Sequence, residues 1–397
     1  MPQLSKKSKD LPSSPIRKLA TYAEQAKAKG IKLLHLNIGQ PDIEAPKEAL
    51  EAVYQSDLNL LPYGSSQGSL EYRRKLCSYY AAHKIQIDPE EILITTGASE
   101  ALIFCLNVVC DTGDEIIIPE PFYANYKGFA SSTGVKVTPI ISKFDNGFQL
   151  PAVEKIKDKI TSKTKAILIC NPNNPTGYVY SKEEIEALGK LALERDIFLI
   201  VDEVYREFIY NDRQHYSVLI NSDWKEHAIM IDSVSKRFSL CGARVGCIIS
   251  RNKKLMQYAL KFAHLRLSPP TFALIASEAA LDAPKSYLKN VVAEYNKRRE
   301  VLIKALDKIP GVSVSHPMGA LFCMVQLPLE NAEDFSKFLL TDFSDGGDSV
   351  MLSPANGFYT SPNSGMNEVR IAFVLESSKL LRAVAILEKA LVAYAKS

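Results

Sequence analysis

Between about residues 90 and 250 the chain alternates short, continuous apolar runs with longer stretches whose apolar positions recur every three or four residues. The first kind has the length of a buried strand, the second that of an amphipathic helix. Strands are predicted at 92–96, 115–119, 135–140, 166–170, 197–202, 229–233 and 245–250, and helices at 99–109, 182–194 and 252–264. Strands alternating with helices imply an α/β fold, a mostly parallel seven-stranded sheet covered by helices and joined by right-handed crossovers. Ligands of such sheets sit at the carboxyl ends of the strands. Later the pattern changes. Residues 285–308 read as a long charged amphipathic helix, followed by 311–325, a helix near 334–340, an irregular Gly/Ser/Asn/Pro-rich loop at 344–367 and a terminal helix. These predict a smaller α+β domain that the segment before residue 46 joins. The expected division is 46–284 for the large domain, and 1–45 with 285–397 for the small one.

Bulk properties narrow the function. A chain of 397 residues exceeds the usual single domain. The net charge of +3 is too small for a nucleic-acid footprint, and no apolar run has the length of a membrane span. Lys6, Lys7 and Lys9 make the start basic, without the apolar segment of a signal peptide. The seven cysteines show no C-x-x-C and read as buried hydrophobes in a reducing, cytoplasmic setting. The six histidines form no H-x-x-x-H or Cys/His cluster, so no metal site is expected.

The most informative stretch is Ser233-Val234-Ser235-Lys236, read with Arg244. It lies between two buried strands, where partial desolvation lowers a lysine's pKa and makes it nucleophilic toward an aldehyde. Ser233 and Arg244 add a hydroxyl and a forked cation suited to a phosphate ester. Lysine with a phosphate site suggests pyridoxal phosphate held as a Schiff base. Three further segments agree. In Thr96-Gly97-Ala98-Ser99-Glu100 the N–H groups of Ala98 and Ser99 open a helix that can take a phosphate, although a plain serine N-cap is commoner. Asn171-Pro172-Asn173-Asn174-Pro175-Thr176-Gly177 presents Asn174 rigidly at a strand end, unless it is an ordinary turn. Asp202 ends a strand, where a carboxylate needs a cation such as a protonated pyridine nitrogen or else caps the next helix; Tyr205 is placed to bond the ring oxygen O3′. Tyr123, after Pro119-Glu120-Pro121-Phe122, can stack on a ring or simply pack. Ser233-x-x-Lys236 also matches the serine–lysine motif of penicillin-binding enzymes, and Gly64-Ser65-Ser66-Gln67-Gly68 matches G-x-S-x-G, but both lack their partners.

Taken together, these residues closely resemble the class I/II aminotransferases, the aspartate-aminotransferase-like pyridoxal-phosphate enzymes of fold type I. The match runs in order along nearly the whole chain: Asn37-Ile38-Gly39-Gln40-Pro41-Asp42, Tyr63-Gly64 with Gly68, Gly97-Ala98-Ser99-Glu100, Pro121-Phe122-Tyr123, the 171–177 loop, Asp202-Glu203-Val204-Tyr205, Ser233 to Lys236, Arg244 and Val369-Arg370-Ile371. The resemblance implies that Lys236 is the Schiff-base lysine and proton carrier. It also puts Asp202 on the pyridine nitrogen, Asn174 and Tyr205 on O3′, and Tyr123 against the ring. Ala98, Ser99, Ser233 and Arg244 then hold the phosphate, completed by Tyr63 from a second subunit of a homodimer. Arg370 forks onto the substrate α-carboxylate, assisted by Asn174 and the backbone at Gly39, with Tyr123 beside the substrate.

The implied activity is ping-pong transfer of an amino group from an L-amino acid to a 2-oxo acid, with 2-oxoglutarate as the acceptor and aspartate or an aromatic amino acid as the donor. One departure bears on specificity. Some bacterial members carry at the Ser99 position a lysine that meets the substrate's distal carboxylate, and serine cannot supply that charge. Arg266, in His264-Leu265-Arg266-Leu267-Ser268-Pro269-Pro270, is the candidate replacement, against the plain reading of a helix-end arginine. Two rivals remain: a carbon–sulfur β-lyase of the same fold, and a pyridoxal-phosphate-binding regulatory domain, for which the residues before Asn37 are too few to hold a DNA-binding domain.

Overall fold

The structure, a computed structural model, describes residues 2–11 and 18–396; residue 1, residues 12–17 and residue 397, all assigned above to the small domain, lie outside it. The central sheet comprises β1 (Ile92–Thr95), β2 (Glu115–Glu120), β3 (Lys136–Ile141), β4 (Thr164–Cys170), β5 (Phe198–Asp202), β6 (Ala228–Ser233) and β7 (Gly246–Ile249). Their spatial order is β1-β7-β6-β5-β4-β2-β3. β7 runs against both neighbours, and every other pairing is parallel.

All residues of β1, β6 and β7 are buried, because helices cover both faces; that is why these strands read as unbroken apolar runs. Successive side chains still point to opposite faces. Ile116, Ile118 and Leu168 pack with Leu102 and Leu106 of helix Gly97–Val109. Ile117, Ile167 and Ile169 pack on the other side with Ile185, Leu188 and Leu191 of helix Lys182–Arg195. That second helix starts at a capping box. Ser181 Oγ accepts from the Glu184 N–H, and the Glu184 carboxylate accepts from the Ser181 N–H.

The seven predicted strands all occur, with ends shifted by at most two residues. The long helix, Lys285–Leu306, stops short of residue 308. The 344–367 segment departs from expectation: it contains the strands Asp348–Met351 and Ser353–Pro354. Asp348–Met351 pairs in parallel with Lys32–His35, more than 300 residues earlier, so the two chain ends meet. Ser353–Pro354 borders an antiparallel sheet that continues through Glu368–Ala372 and Phe322–Gln326 to Ser313–Val314. An apolar run as short as Val350-Met351-Leu352, set among glycines, aspartates and a proline, carries no readable alternation. Its strand character comes from the distant partner.

Gly189 of helix Lys182–Arg195 faces Trp224, the chain's one tryptophan, and a Cβ there would lie 2.4 Å from two atoms of the indole. In an open helix Gly→Ala gains about 1 kcal/mol. Overpacking a fully buried indole costs about 1–3 kcal/mol, and here it should win. Gly189→Ala is therefore expected to lower the denaturant midpoint followed by Trp224 emission. A midpoint at or above wild type would show that the ring yields at no cost.

Candidate active site

The carboxyl ends of β1, β2, β4, β5 and β6 open into a cavity of about 430 Å³, walled on the far side by Gly39, Phe322 and Arg370. β6 ends at Ser233, whose Oγ accepts from the Ser235 N–H and starts the single helical turn Val234–Arg237. That turn delivers Lys236 to the cavity. Its Nζ donates to Gly39 O at 2.7 Å and lies 3.9 Å from Cys241 Sγ. Burial lowers its pKa; Arg370 and Arg244 push the same way, against Cys241 and Asp202.

Asp202 closes β5. Its Oδ2 accepts from Tyr126 OH at 2.7 Å and its Oδ1 from the Val204 N–H at 3.2 Å. Burial nevertheless pushes its pKa up to about 6, against the lowering effect of those two hydrogen bonds. A carboxylate so held, on the cavity wall, favours a cation in front of it.

β1 leads into helix Gly97–Val109 through Gly97, at φ +76, a left-handed backbone that glycine adopts without strain. Its missing side chain also makes room: a Cβ there would sit 2.5 Å from Arg244 Nη2. The guanidinium thus lies against the N-terminus of a helix, beside Ala98 and Ser99, with Ser233 on the same cavity wall. Cation and free N–H groups together suit a phosphate.

Arg370, in the middle of Glu368–Ala372, is 1% exposed and stacks 4.2 Å from the Phe322 ring. Nη1 donates to Asn174 Oδ1 at 2.9 Å and Nη2 to Asn37 O at 2.6 Å, while the buried Nε finds no partner among the described residues. Burial draws its pKa down to about 10. A desolvated guanidinium held by neutral acceptors is ready for a carboxylate. Asn174 is buried in the loop after β4, which is stitched by Asn171 N–H to Asp202 O and Gly177 N–H to Asn173 O, both 2.9 Å. Tyr205 lies edge-on to Phe322, and Tyr123 accepts at its hydroxyl from Asn125 Nδ2 at 2.8 Å.

Eleven of the thirteen residues singled out from the sequence therefore meet in one cavity: Gly39, Ala98, Ser99, Tyr123, Asn174, Asp202, Tyr205, Ser233, Lys236, Arg244 and Arg370. Tyr63 and Arg266 do not line it. Tyr63 is 81% exposed on a loop with exposed Leu60 and Leu61. Arg266 donates from Nη2 to Ser66 O at 3.2 Å and Ile94 O at 3.1 Å, with Nε 3.6 Å from Glu100. It ends helix Lys253–Arg266, yet the carbonyls it meets belong to other segments. Sequence reasoning missed Tyr126, Cys241 and Phe322. Tyr126 follows Tyr123 by three residues, a readable spacing; nothing local marks the other two.

Comparison with known proteins agrees with this geometry. The model of the family "Aminotransferase class I and II" matches residues 31–387. Aspartate aminotransferase of Pyrococcus horikoshii is 30% identical over 90% of both chains, and that of Bacillus subtilis is 28% identical over 95% of this chain and 97% of its own. Among solved structures, aspartate aminotransferase from Thermus thermophilus with maleate superposes with a TM-score of 0.89 at 26% identity, covering 98% of this chain and all of the other. Alanine aminotransferase from Pyrococcus furiosus gives 0.90 at 29% identity over the same shares. These names do not favour the β-lyase reading. With a family model matched along nearly its whole length and a sheet that superposes on theirs, the chain belongs to the class I and II aminotransferases, the pyridoxal-phosphate-dependent transaminases of fold type I.

Proposed function

We propose that the cavity binds pyridoxal phosphate and exchanges an amino group between an L-amino acid and a 2-oxo acid by a ping-pong mechanism. The observation that carries this reading is a pair of desolvated groups at adjacent parallel strand ends, Asp202 closing β5 and Lys236 one turn beyond β6. Burial weakens the charged form of each. A ligand offering a ring N–H⁺ to Asp202 and an aldehyde carbon to Lys236 relieves both at once. The Arg370 Nε, without a hydrogen-bond partner among the described residues, and the Gly97–Arg244 cradle fit the same ligand with its substrate.

When bound, the cofactor supplies a ring that accepts the electrons left on the substrate's α-carbon. The chain's residues do the rest. Lys236 would hold the cofactor through its aldehyde carbon, and its amine would carry the proton taken from the substrate's α-carbon. Asp202, oriented by Tyr126, would keep the ring nitrogen protonated. Asn174 and Tyr205 would hold O3′ and Tyr123 the ring face. Ala98, Ser99, Ser233 and Arg244 would take the phosphate. Arg370 would orient the α-carboxylate, with Asn174 and the Gly39 backbone.

The same reading assigns residues 46–284 to the cofactor-holding domain and 1–45 with 285–397 to the smaller one, supported by the pairing of Lys32–His35 with Asp348–Met351. It makes the enzyme a homodimer in which Tyr63 reaches the partner's phosphate, supported by the exposure of Tyr63, Leu60 and Leu61. It places the enzyme in the cytoplasm, where its seven free thiols stay reduced. No helix among the described residues is long and apolar enough to cross a membrane. Aspartate or an aromatic amino acid is the proposed donor and 2-oxoglutarate the acceptor; the names of the relatives support aspartate.

Borohydride reduction of the loaded protein should attach a pyridoxyl group to Lys236, and Lys236→Ala should bind cofactor without transaminating. Mass spectrometry that places the adduct on another lysine sinks the assignment.

The Asp202 shift sets a pH dependence in the cofactor-free protein. A carboxyl whose folded pKa is raised, from 3.8 to about 6, adds stability that is fully present below about pH 4 and is lost as pH rises through 6. Two pKa units correspond to about 3 kcal/mol. Glu203, raised by burial to about 7, adds a second slope at slightly higher pH. Asp202→Asn should remove the first slope and leave the second, while weakening cofactor binding. An unchanged pH profile of unfolding would show that Asp202 does not titrate there.

For Arg266 the guanidinium's engagement with its own chain sets the expectation. Arg266→Ala should lower kcat/KM to a similar degree for aspartate and alanine, and cost about 1–3 kcal/mol of stability through the lost hydrogen bonds. A loss confined to dicarboxylic donors would instead make it the distal-carboxylate residue.

A further inference from the structure

We propose that Asp232 and Arg237 are positioning residues for Lys236: their ion pair joins the two ends of the one helical turn that carries the amine. The inference rests on Lys236 being the reactive amine, as proposed above.

A single turn is a poor support for a nucleophile. The turn Val234–Arg237 is only four residues long, and at its exit Phe238 N–H donates to Val234 O at 3.1 Å. So short a helix does not offset the entropy of fixing its backbone. Asp232 stands just before the segment Ser233 to Lys236, and Arg237 just after it. Asp232 Oδ1 accepts from the Ser233 N–H at 2.7 Å, and its Oδ2 accepts from Arg237 Nη2 and from Tyr80 OH, the latter at 2.6 Å. Entry and exit of the turn are thus tied through side chains. Arg237 is fixed in turn by the Tyr79 ring, 4.2 Å from its Cζ, and by Glu207, 3.7 Å from its Nε. Glu207 also accepts from Tyr79 OH.

Burial sharpens the point. The Asp232 and Arg237 side chains are 1% and 2% exposed, and a buried ion pair adds little net stability once desolvation is counted. Its use here is geometric. Neither residue lines the cavity, and the groups that face Lys236 are Gly39 O, Cys241, Tyr205, Asp202, Arg244 and Arg370. The pair is neutral as a whole, so neutralising both members leaves the local charge balance around the amine nearly unchanged. What changes is where the amine stands.

The test uses the cofactor-free protein and the double variant Asp232→Asn with Arg237→Met. Asparagine keeps an acceptor oxygen for the Ser233 N–H and offers Tyr80 OH an N–H in place of the second oxygen, and methionine keeps an apolar stem against Tyr79, so the link across the turn is opened with no new buried charge on either residue. Competitive acetylation across a pH range, read by mass spectrometry, gives the pKa and reactivity of Lys236 alone. In the folded double variant the amine should move toward the ordinary lysine pKa as it leaves the dry cavity. Its borohydride-trapped capture of pyridoxal phosphate should slow roughly tenfold or more, the scale of an ångström-sized misplacement. Arg237→Lys, which keeps the charge, should recover most of the wild-type rate. A folded double variant whose Lys236 pKa and capture rate match wild type within about twofold, on the same scale, overturns the proposal. If the double variant does not fold, Asp232→Asn with Arg237→Leu decides by the same two readouts. A cofactor adduct on a different lysine would sink the functional reading instead, while the acetylation of Lys236 would still report on the turn.

Discussion

Three charged side chains, Lys236, Asp202 and Arg370, stand out of water around one cavity, and burial pushes each toward its uncharged form. Among the described residues none of them forms a salt bridge. Lys236 donates to a backbone carbonyl, Asp202 accepts from a phenol and an amide, and Arg370 donates to an amide oxygen and a carbonyl. Neutral partners orient a charge without neutralising it. The free energy left unspent in this way is available to a ligand carrying the complementary charges, and that is what makes the cavity a binding site rather than a flaw in the core.

The layer beneath is built the opposite way. Asp232 meets Arg237, Arg237 lies near Glu207, and Arg206 sits 3.7 Å from Glu203 and over the Tyr80 ring. Glu203 is adjacent in sequence to Asp202, but its Oε1 takes Ser217 Oγ and the Val218 N–H, pinning a loop rather than facing the cavity. The two carboxylates part where the strand ends, Asp202 on the cavity wall and Glu203 turned to the Ser217–Val218 loop. Compensated charge below the strand ends thus supports uncompensated charge above them.

Most of this could be read in the sequence where it depends on local chain. Ser233, Lys236, Asp202, Gly97 and the 171–177 loop each sit at a strand-to-helix or strand-to-loop junction, and the junction is set by a few neighbouring residues. The strands were legible because burial makes most of their side chains apolar. Phe322 and Cys241 were not legible, because their presence in the cavity depends on how distant segments pack. The strand Asp348–Met351 was missed for the same reason, since its partner is Lys32–His35. Arg266 shows the reverse limit. Its position suggested a substrate contact, yet a guanidinium's long stem lets nearby carbonyls decide where it ends, and those of Ser66 and Ile94 hold it.

The cavity is closed by the parts of the chain farthest apart. Asn37 O takes Arg370, Gly39 O takes Lys236, and Asp42 meets Arg298 of the helix Lys285–Leu306. This crossing leaves no room for a side chain at Gly39, where a Cβ would fall 2.1 Å from the Phe322 ring. The same ring is the platform under the Arg370 guanidinium. A larger residue at 39 would therefore displace the platform, and with it the cation that the segment's own carbonyl at Asn37 helps to orient. Backbone, ring and guanidinium form one stack, and the close approach that a glycine permits is what allows a segment near residue 40 and a strand near residue 370 to face the same few ångströms of cavity.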